Sequence, residues 1–214
     1  NSFYMWLDSY IYQQAIAADF SGFPLPATAS SIPSNVTISP IGQLTAPANG
    51  EGGYARGVEV SGSVELGKLT HALDGFGAVG SVSYTDSYLA PNAMTAIGGT
   101  LPGLSDWVYT LTGYYEKDGF QARAAYRYRS KFKGETIQLF TNLGYSQILA
   151  DKQLDAQIGY TFQKGPLEGL GIQLQVSNLL DSPYRTSYNV NGTQMLETYE
   201  KYGRQWLLGL SYHF

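Results

Sequence analysis

Residues 120–133 read Phe-Gln-Ala-Arg-Ala-Ala-Tyr-Arg-Tyr-Arg-Ser-Lys-Phe-Lys, and no other stretch limits the possible folds so tightly. In an extended strand, successive side chains point to opposite faces. Phe120, Ala122, Ala124, Tyr126 and Tyr128 therefore share one face, and Gln121, Arg123, Arg127 and Arg129 the other. An arginine near the middle of a bilayer costs about 2–4 kcal/mol. The guanidinium side must then meet water or hydrogen-bonding groups, while the opposite side is free to meet hydrocarbon.

The same division recurs along the chain. At the end, Trp206, Leu208, Leu210, Tyr212 and Phe214 alternate with Gln205, Leu207, Gly209, Ser211 and His213. Aromatic residues at a strand end suit a headgroup girdle, where a ring sits between hydrocarbon and water. Ile172, Leu174 and Val176 alternate with Gln173, Gln175 and Ser177. Over 153–163, Leu154, Ile158, Tyr160 and Phe162 oppose Asp155, Gln157 and Thr161. Over 106–116, Trp107, Tyr109, Leu111 and Tyr115 oppose Thr110, Thr112 and Glu116, and over 55–69, Val58, Val60, Val64 and Leu66 oppose Glu59, Ser61, Ser63 and Glu65. Residues 75–88 read as a partner strand. A first strand over 1–12 is expected to turn Phe3, Met5 and Leu7 to lipid and Tyr4, Trp6 and Asp8 inward.

Between these segments, short turns of roughly three to five residues alternate with loops of roughly fifteen to forty, the asymmetry of outer-membrane barrels. Lys117-Asp118-Gly119 is the clearest turn, since Asp-Gly suits the positive φ of a type I′ hairpin. The stretches 13–53, 89–104 and 181–200 read as loops, and 134–150 as a loop or loop hairpin, because Pro, Gly and Ser crowd most of them. A strand of about thirteen residues spans about 43 Å, or about 33 Å when tilted, enough for an apolar band of about 25 Å. The fold class expected is all-β: a transmembrane antiparallel β-barrel with about eight strands in this chain, long loops extracellular, short turns and the C-terminus periplasmic.

Composition excludes several alternatives. No run reaches the roughly 18–20 apolar residues of a membrane helix, and a mean hydropathy of −0.17 is uninformative for a barrel whose polar face dilutes every strand. The 214 residues contain no Cys, hence no disulfide framework or thiolate metal site, and a net charge of −4 leaves no basic footprint for nucleic acid. The start Asn-Ser-Phe-Tyr, without Met or a leader pattern, is read as that of a fragment.

The stretches "SNLLDSPYR" from Ser177, "YEKYGRQWLLGLSYHF" to the terminal Phe214, and "LPGLSDWVYTLTGYYEKDGFQARAAYRYRSKF" from Leu101 resemble the C-terminal part of TonB-dependent outer-membrane receptors. The last is closest to the proteobacterial branch that scavenges carbohydrate. The resemblance runs from about Ala55 to Phe214. It implies a barrel of about twenty-two strands with an N-terminal plug and a TonB box that this chain lacks. It implies active import of a nutrient, a carbohydrate or oligosaccharide on this branch, with a siderophore or metal chelate as the alternative cargo. The partners implied are outer-membrane lipid, the plug and remaining strands, the TonB-ExbB-ExbD complex, a small-molecule ligand, and the barrel-insertion machinery through the Phe214 strand. This segment alone is not expected to transport. A complete small eight-stranded barrel, adhesive or structural, is the reading of another class, since eight strands do close. A soluble all-β binding domain is a third.

Catalytic constellations are not expected, and neither is a cofactor or a metal. Gly75-Phe76-Gly77-Ala78-Val79-Gly80 matches a dinucleotide-binding pattern, but the strand continues where a helix is needed. His71 and His213 lie far apart in the chain, and Glu59 and Glu65 lie about 20 Å apart along a strand, too far for a glycosidase pair. Two groups remain. Arg123, Arg127 and Arg129 with Glu59, Glu65 and Glu116 are expected to line the lumen, the arginines pairing with acids such as Glu116 or with a plug. Trp107, Tyr88, Tyr184, Arg185, Tyr188, Asn189 and Asn191 lie at loop bases, where aromatic faces and amides suit a sugar. Girdle aromatics look the same in sequence.

Overall fold

A computed structural model of the chain describes residues 1–24, 37–90, 99–137, 143–190 and 192–213. Eight strands form one sheet in the order β1 (Ser2–Asp19), β2 (Ile41–Glu65), β3 (Phe76–Leu89), β4 (Trp107–Lys117), β5 (Phe120–Arg129), β8 (Asp151–Thr161), β9 (Leu170–Ser177), β12 (Gln205–Tyr212). These correspond one for one to the segments that alternate in the sequence. Four more strands, β6 (Phe132–Ile137), β7 (Leu143–Ile148), β10 (Tyr184–Val190) and β11 (Thr193–Glu200), form a second sheet in the order β11-β10-β7-β6. Every ladder described is antiparallel.

The register keeps the two faces separate from strand to strand. Tyr109, Leu111 and Tyr115 of β4 stand opposite Tyr128, Tyr126 and Ala122 of β5, while Thr110 meets Arg127 and Tyr114 meets Arg123. Across the next ladder Tyr126 meets Leu154 and Ala122 meets Ile158; Arg127 meets Gln153 and Arg123 meets Gln157. The division reaches the last strand, where Trp206, Leu208 and Leu210 oppose Val176, Leu174 and Ile172. A slip by one residue would exchange the faces.

Aromatic contacts cluster toward both ends of the apolar face. Near the short turns Phe76 packs on Tyr115 at 4.5 Å and Tyr115 on Phe120 at 5.9 Å. Toward the longer connections Tyr84 meets Trp107 and Tyr109 meets Tyr128, both at 4.7 Å. Such pairs contribute about 0.5–1.5 kcal/mol each beyond burial. Most of this face lies open: Trp206, Leu208 and Leu210 are 61%, 67% and 72% exposed, and no described side chain is fully buried. Contiguous exposed apolar surface on this scale marks contact with a membrane or another protein. Arg56 and Asp86, 2.8 Å apart, share that face but lie beyond the Tyr84–Trp107 row, past its aliphatic part.

The turn at 117–119 has the expected geometry, with Asp118 at φ 50° and Gly119 at φ 82°. β3 continues through the glycine pattern to Leu89, and the Tyr114 ring lies across Gly77, where a Cβ would collide with it. Three expectations are corrected. Much of 13–53 is strand: β1 runs to Asp19 and β2 starts at Ile41, with Phe20 N–H donating to Pro40 O at 2.7 Å. Backbone pairing sustains this ribbon despite its Pro and Gly content; 25–36 lie outside the described residues. The expected loop 181–200 contains β10–β11, whose polar sequences show no contrast between faces, and β5 ends at Arg129, while 134–150, read as loop or loop hairpin, carries most of the antiparallel pair β6–β7. Finally, Tyr4 stacks on Tyr54 and Tyr54 meets Tyr88, placing Tyr4 on the face of Tyr84, while Phe3 lies against Gly57. The first strand is thus turned opposite to expectation.

The chain divides into two compact units, one comprising Asn1–Met5, Tyr54–Tyr88 and Thr100–Phe214, the other Trp6–Gly53 and Leu89–Gly99. In the second unit, Ala90 N–H donates to Gly52 O at 3.0 Å, Leu89 and Gly99 form an isolated bridge, and Tyr12 and Leu89 are buried. The site described next lies within the first.

Candidate functional site

Where β5, β8, β9 and β12 reach their long connections, the polar face holds a cavity of about 410 Å³. Its lining is Arg127, Asp151, Gln153, Asp155, Ser177, Asn178, Ser182, Tyr184, Tyr202, Gly203 and Gln205. Period-two alternation and the β5–β8 register bring Arg127 to Gln153 and Asp155: its Nη2 donates to Gln153 Oε1 at 2.7 Å and to Asp155 Oδ2 at 3.0 Å. The arginine and aspartate side chains are 57% and 30% exposed, so solvent screening holds the pair to about 1 kcal/mol or less. Its effect is on orientation and charge: the single cationic side chain in the lining among the described residues is already engaged.

The rim is organised by Asn178, which takes the left-handed conformation at φ 55°. Its Oδ1 accepts Ser182 N–H at 2.9 Å, and its Nδ2 donates to Ser182 O at 3.3 Å and Gly203 O at 3.1 Å. Its backbone N–H donates to Asp155 Oδ1 at 3.0 Å. Lys201 pairs with Asp181 at 2.7 Å, and Arg204 Nε donates to Leu179 O at 2.8 Å. The Asn-Leu-Leu-Asp-Ser-Pro-Tyr-Arg stretch is therefore a clasp that fixes the chain before β10 to the chain before β12. Tyr202 donates its hydroxyl to Glu200, which pushes that hydroxyl's pKa above its ordinary value and leaves the ring as its contribution to the cavity.

Of the aromatic and amide residues read as ligand contacts, only Tyr184 lines the cavity. Trp107 packs on Tyr84 and Tyr88 on Tyr54, both on the aromatic face. Arg185 is absent from the lining, and its Nε is buried with no hydrogen-bond partner among the described residues. Tyr188 pairs with Met195 in the β10–β11 hairpin, Asn189 accepts Gly192 N–H at 2.8 Å there, and Asn191 lies outside the described residues.

Of the arginines, Arg127 takes Asp155, a polar-face acid on the neighbouring strand, while Glu116, named as an example of such an acid, stands opposite Gln121. Arg129 donates to Ser105 Oγ at 2.7 Å and Gly103 O at 2.6 Å, with its guanidinium 3.7 Å from the Phe132 ring centre. Arg123 borders a smaller hollow with Gln157 and Gln175. Glu59 exchanges backbone hydrogen bonds with Asn1, and Glu65 pairs with Lys68 at 2.8 Å; neither enters the cavity. Asp151, Gln153, Asn178 and Tyr202 were missed. Asn178 stood in a motif already singled out, and Gln153 and Asp155 lay in an alternating strand, but only the register brings them to Arg127.

No three His, Cys, Asp or Glu side chains among the described residues are arranged to hold a metal. The cavity offers hydroxyl, amide and carboxylate groups beside two phenol rings, which can bind and orient a hydroxylated ligand. An antiparallel sheet with an aromatic-banded apolar face and a charged face belongs with the outer-membrane β-barrel class. The family model described as TonB dependent receptor-like, beta-barrel matches residues 1–179, and the chain belongs to that family. Its members are outer-membrane transporters and not enzymes. The match includes residues 1–54, where the sequence resemblance is poor, and stops before β10. Neither a curated protein nor a solved structure matches the chain.

Proposed function

We propose that this chain supplies wall and rim to a TonB-dependent transporter that imports a carbohydrate or oligosaccharide across the outer membrane. The barrel in this reading has about twenty-two strands, with the long connections extracellular and the short turns periplasmic. Arg123, Arg127, Arg129, Glu59, Glu65 and Glu116 face its lumen. A plug and the TonB-ExbB-ExbD complex supply gating and energy from outside this segment. The observation that carries the cargo assignment is the cavity beside Arg127. Sugars bind by stacking an apolar ring face on an aromatic side chain while amides and carboxylates take the hydroxyls. Tyr184 and Tyr202 with Gln153, Asn178, Gln205 and Asp155 offer that combination.

Calorimetric titration of the full-length receptor in detergent, with a panel of neutral and charged oligosaccharides and a panel of ferric chelates, tests the cargo. Binding confined to saccharides is expected, together with induction during growth on the bound sugar. Binding confined to ferric chelates, with induction under iron limitation, contradicts it.

A further inference from the structure

We infer that the ligand of this cavity bears an amino group, and that Asp151 is the residue that selects for it over an acidic counterpart. The inference rests on the carbohydrate reading above and adds to it the charge of the cargo. Among the described residues, three side chains of formal charge line the cavity: Arg127, Asp151 and Asp155. Arg127 and Asp155 neutralise each other at 3.0 Å, and the second oxygen of Asp155 is taken by Asn178 N–H at 3.0 Å. Asp151 has no such relief. Its neighbour in the ladder is Arg129, but that guanidinium turns away to Ser105 and Gly103 and lies over Phe132. Among the described residues no ion pair reaches Asp151. The cavity is left with one uncompensated negative charge.

An ammonium group on a sugar ring would give that carboxylate a charge-assisted hydrogen bond. It would also gain from the phenol faces of Tyr184 and Tyr202, since a cation is drawn to an aromatic ring. A carboxylate on the same ring position would meet Asp151 as a like charge, with the only lining arginine already committed. A neutral hydroxyl falls between the two.

The test uses the full-length receptor and three probes of equal length: tetramers of glucose, of glucosamine and of glucuronate. The expected order of affinity is glucosamine, glucose, glucuronate. Asp151→Asn should weaken glucosamine binding about tenfold, the scale of one charge-assisted hydrogen bond, weaken glucose by less than that and tighten glucuronate. Asp151→Glu, which keeps the charge, should keep the order, and unchanged heat-modifiable mobility shows that both variants fold. Glucuronate binding as tightly as glucosamine, or an order unaltered in Asp151→Asn, overturns the charge preference alone. Failure of all three tetramers to bind overturns the carbohydrate reading, and the preference with it.

Discussion

Replacing Asn178 tests whether the rim is a clasp or merely a loop. Its side chain makes three hydrogen bonds, one to Ser182 N–H and two from Nδ2 to Ser182 O and Gly203 O. At about 0.5–1.5 kcal/mol each, their loss in Asn178→Ala removes about 2–4 kcal/mol of local stability. Alanine must also adopt φ 55°, which costs it about 1–2 kcal/mol. The loop should then open about a hundredfold more often or beyond, taking 1.4 kcal/mol per factor of ten. Trypsin cleavage after Lys201 or Arg204 in the folded, membrane-inserted receptor reads this directly, because cutting follows the open population when reclosing is fast. Asn178→Gly removes the hydrogen bonds without the backbone penalty and should fall about tenfold short of Asn178→Ala. Asn178→Asp keeps the acceptor for Ser182 N–H and should cleave more slowly than either. If Asn178→Ala is cut within about threefold of the native rate, hydrogen bonds of this worth are not what holds the rim.

Further outcomes follow from the two-faced sheet and its loops. Arg127→Leu should leave heat-modifiable folding intact and reduce ligand uptake, because the guanidinium points away from the apolar face; failed insertion would count against that placement. Leu208→Arg on the apolar face should cost about 2–4 kcal/mol of barrel stability, whereas Gln173→Arg on the opposite face should be nearly silent, as urea unfolding in lipid can show. Lys201, raised above 10.5 chiefly by its hydrogen bond to Asp181, and Tyr202, raised above 10.0 chiefly by its bond to Glu200, are held protonated more firmly in the folded loop than when free. Their contacts should persist through neutral pH and be lost as pH rises through those raised values. Chymotrypsin cleavage after Tyr202 should accelerate only in that alkaline range, and acceleration between pH 6 and about 9 would refute the assignment.

What could be read from the chain followed from contrast between faces. Strands β4, β5, β8, β9 and β12 alternate greasy and polar side chains, so period two alone separates their sides, and the ladders agree. Strands β10, Tyr-Arg-Thr-Ser-Tyr-Asn-Val, and β11, Thr-Gln-Met-Leu-Glu-Thr-Tyr-Glu, have no such contrast. They are held by backbone pairing that leaves no mark in composition. The same limit applies at the site. Alternation put Arg127 on the polar face, but its partner depended on register, and Asp155 reaches it where Glu116 does not. Trp107 and Tyr88 could be read either way from the chain, because a ring at a membrane boundary and a ring under a sugar share one sequence signature. Only neighbours such as Tyr84 and Tyr54 distinguish them.

Asp155 grips Arg127 with one oxygen and the backbone of Asn178 with the other. One carboxylate thus joins a strand of the wall to the lip beside it. That carboxyl group shares the joint with the backbone bond from Leu179 N–H to Leu154 O at 2.7 Å, so its removal is expected to loosen the lip without releasing it.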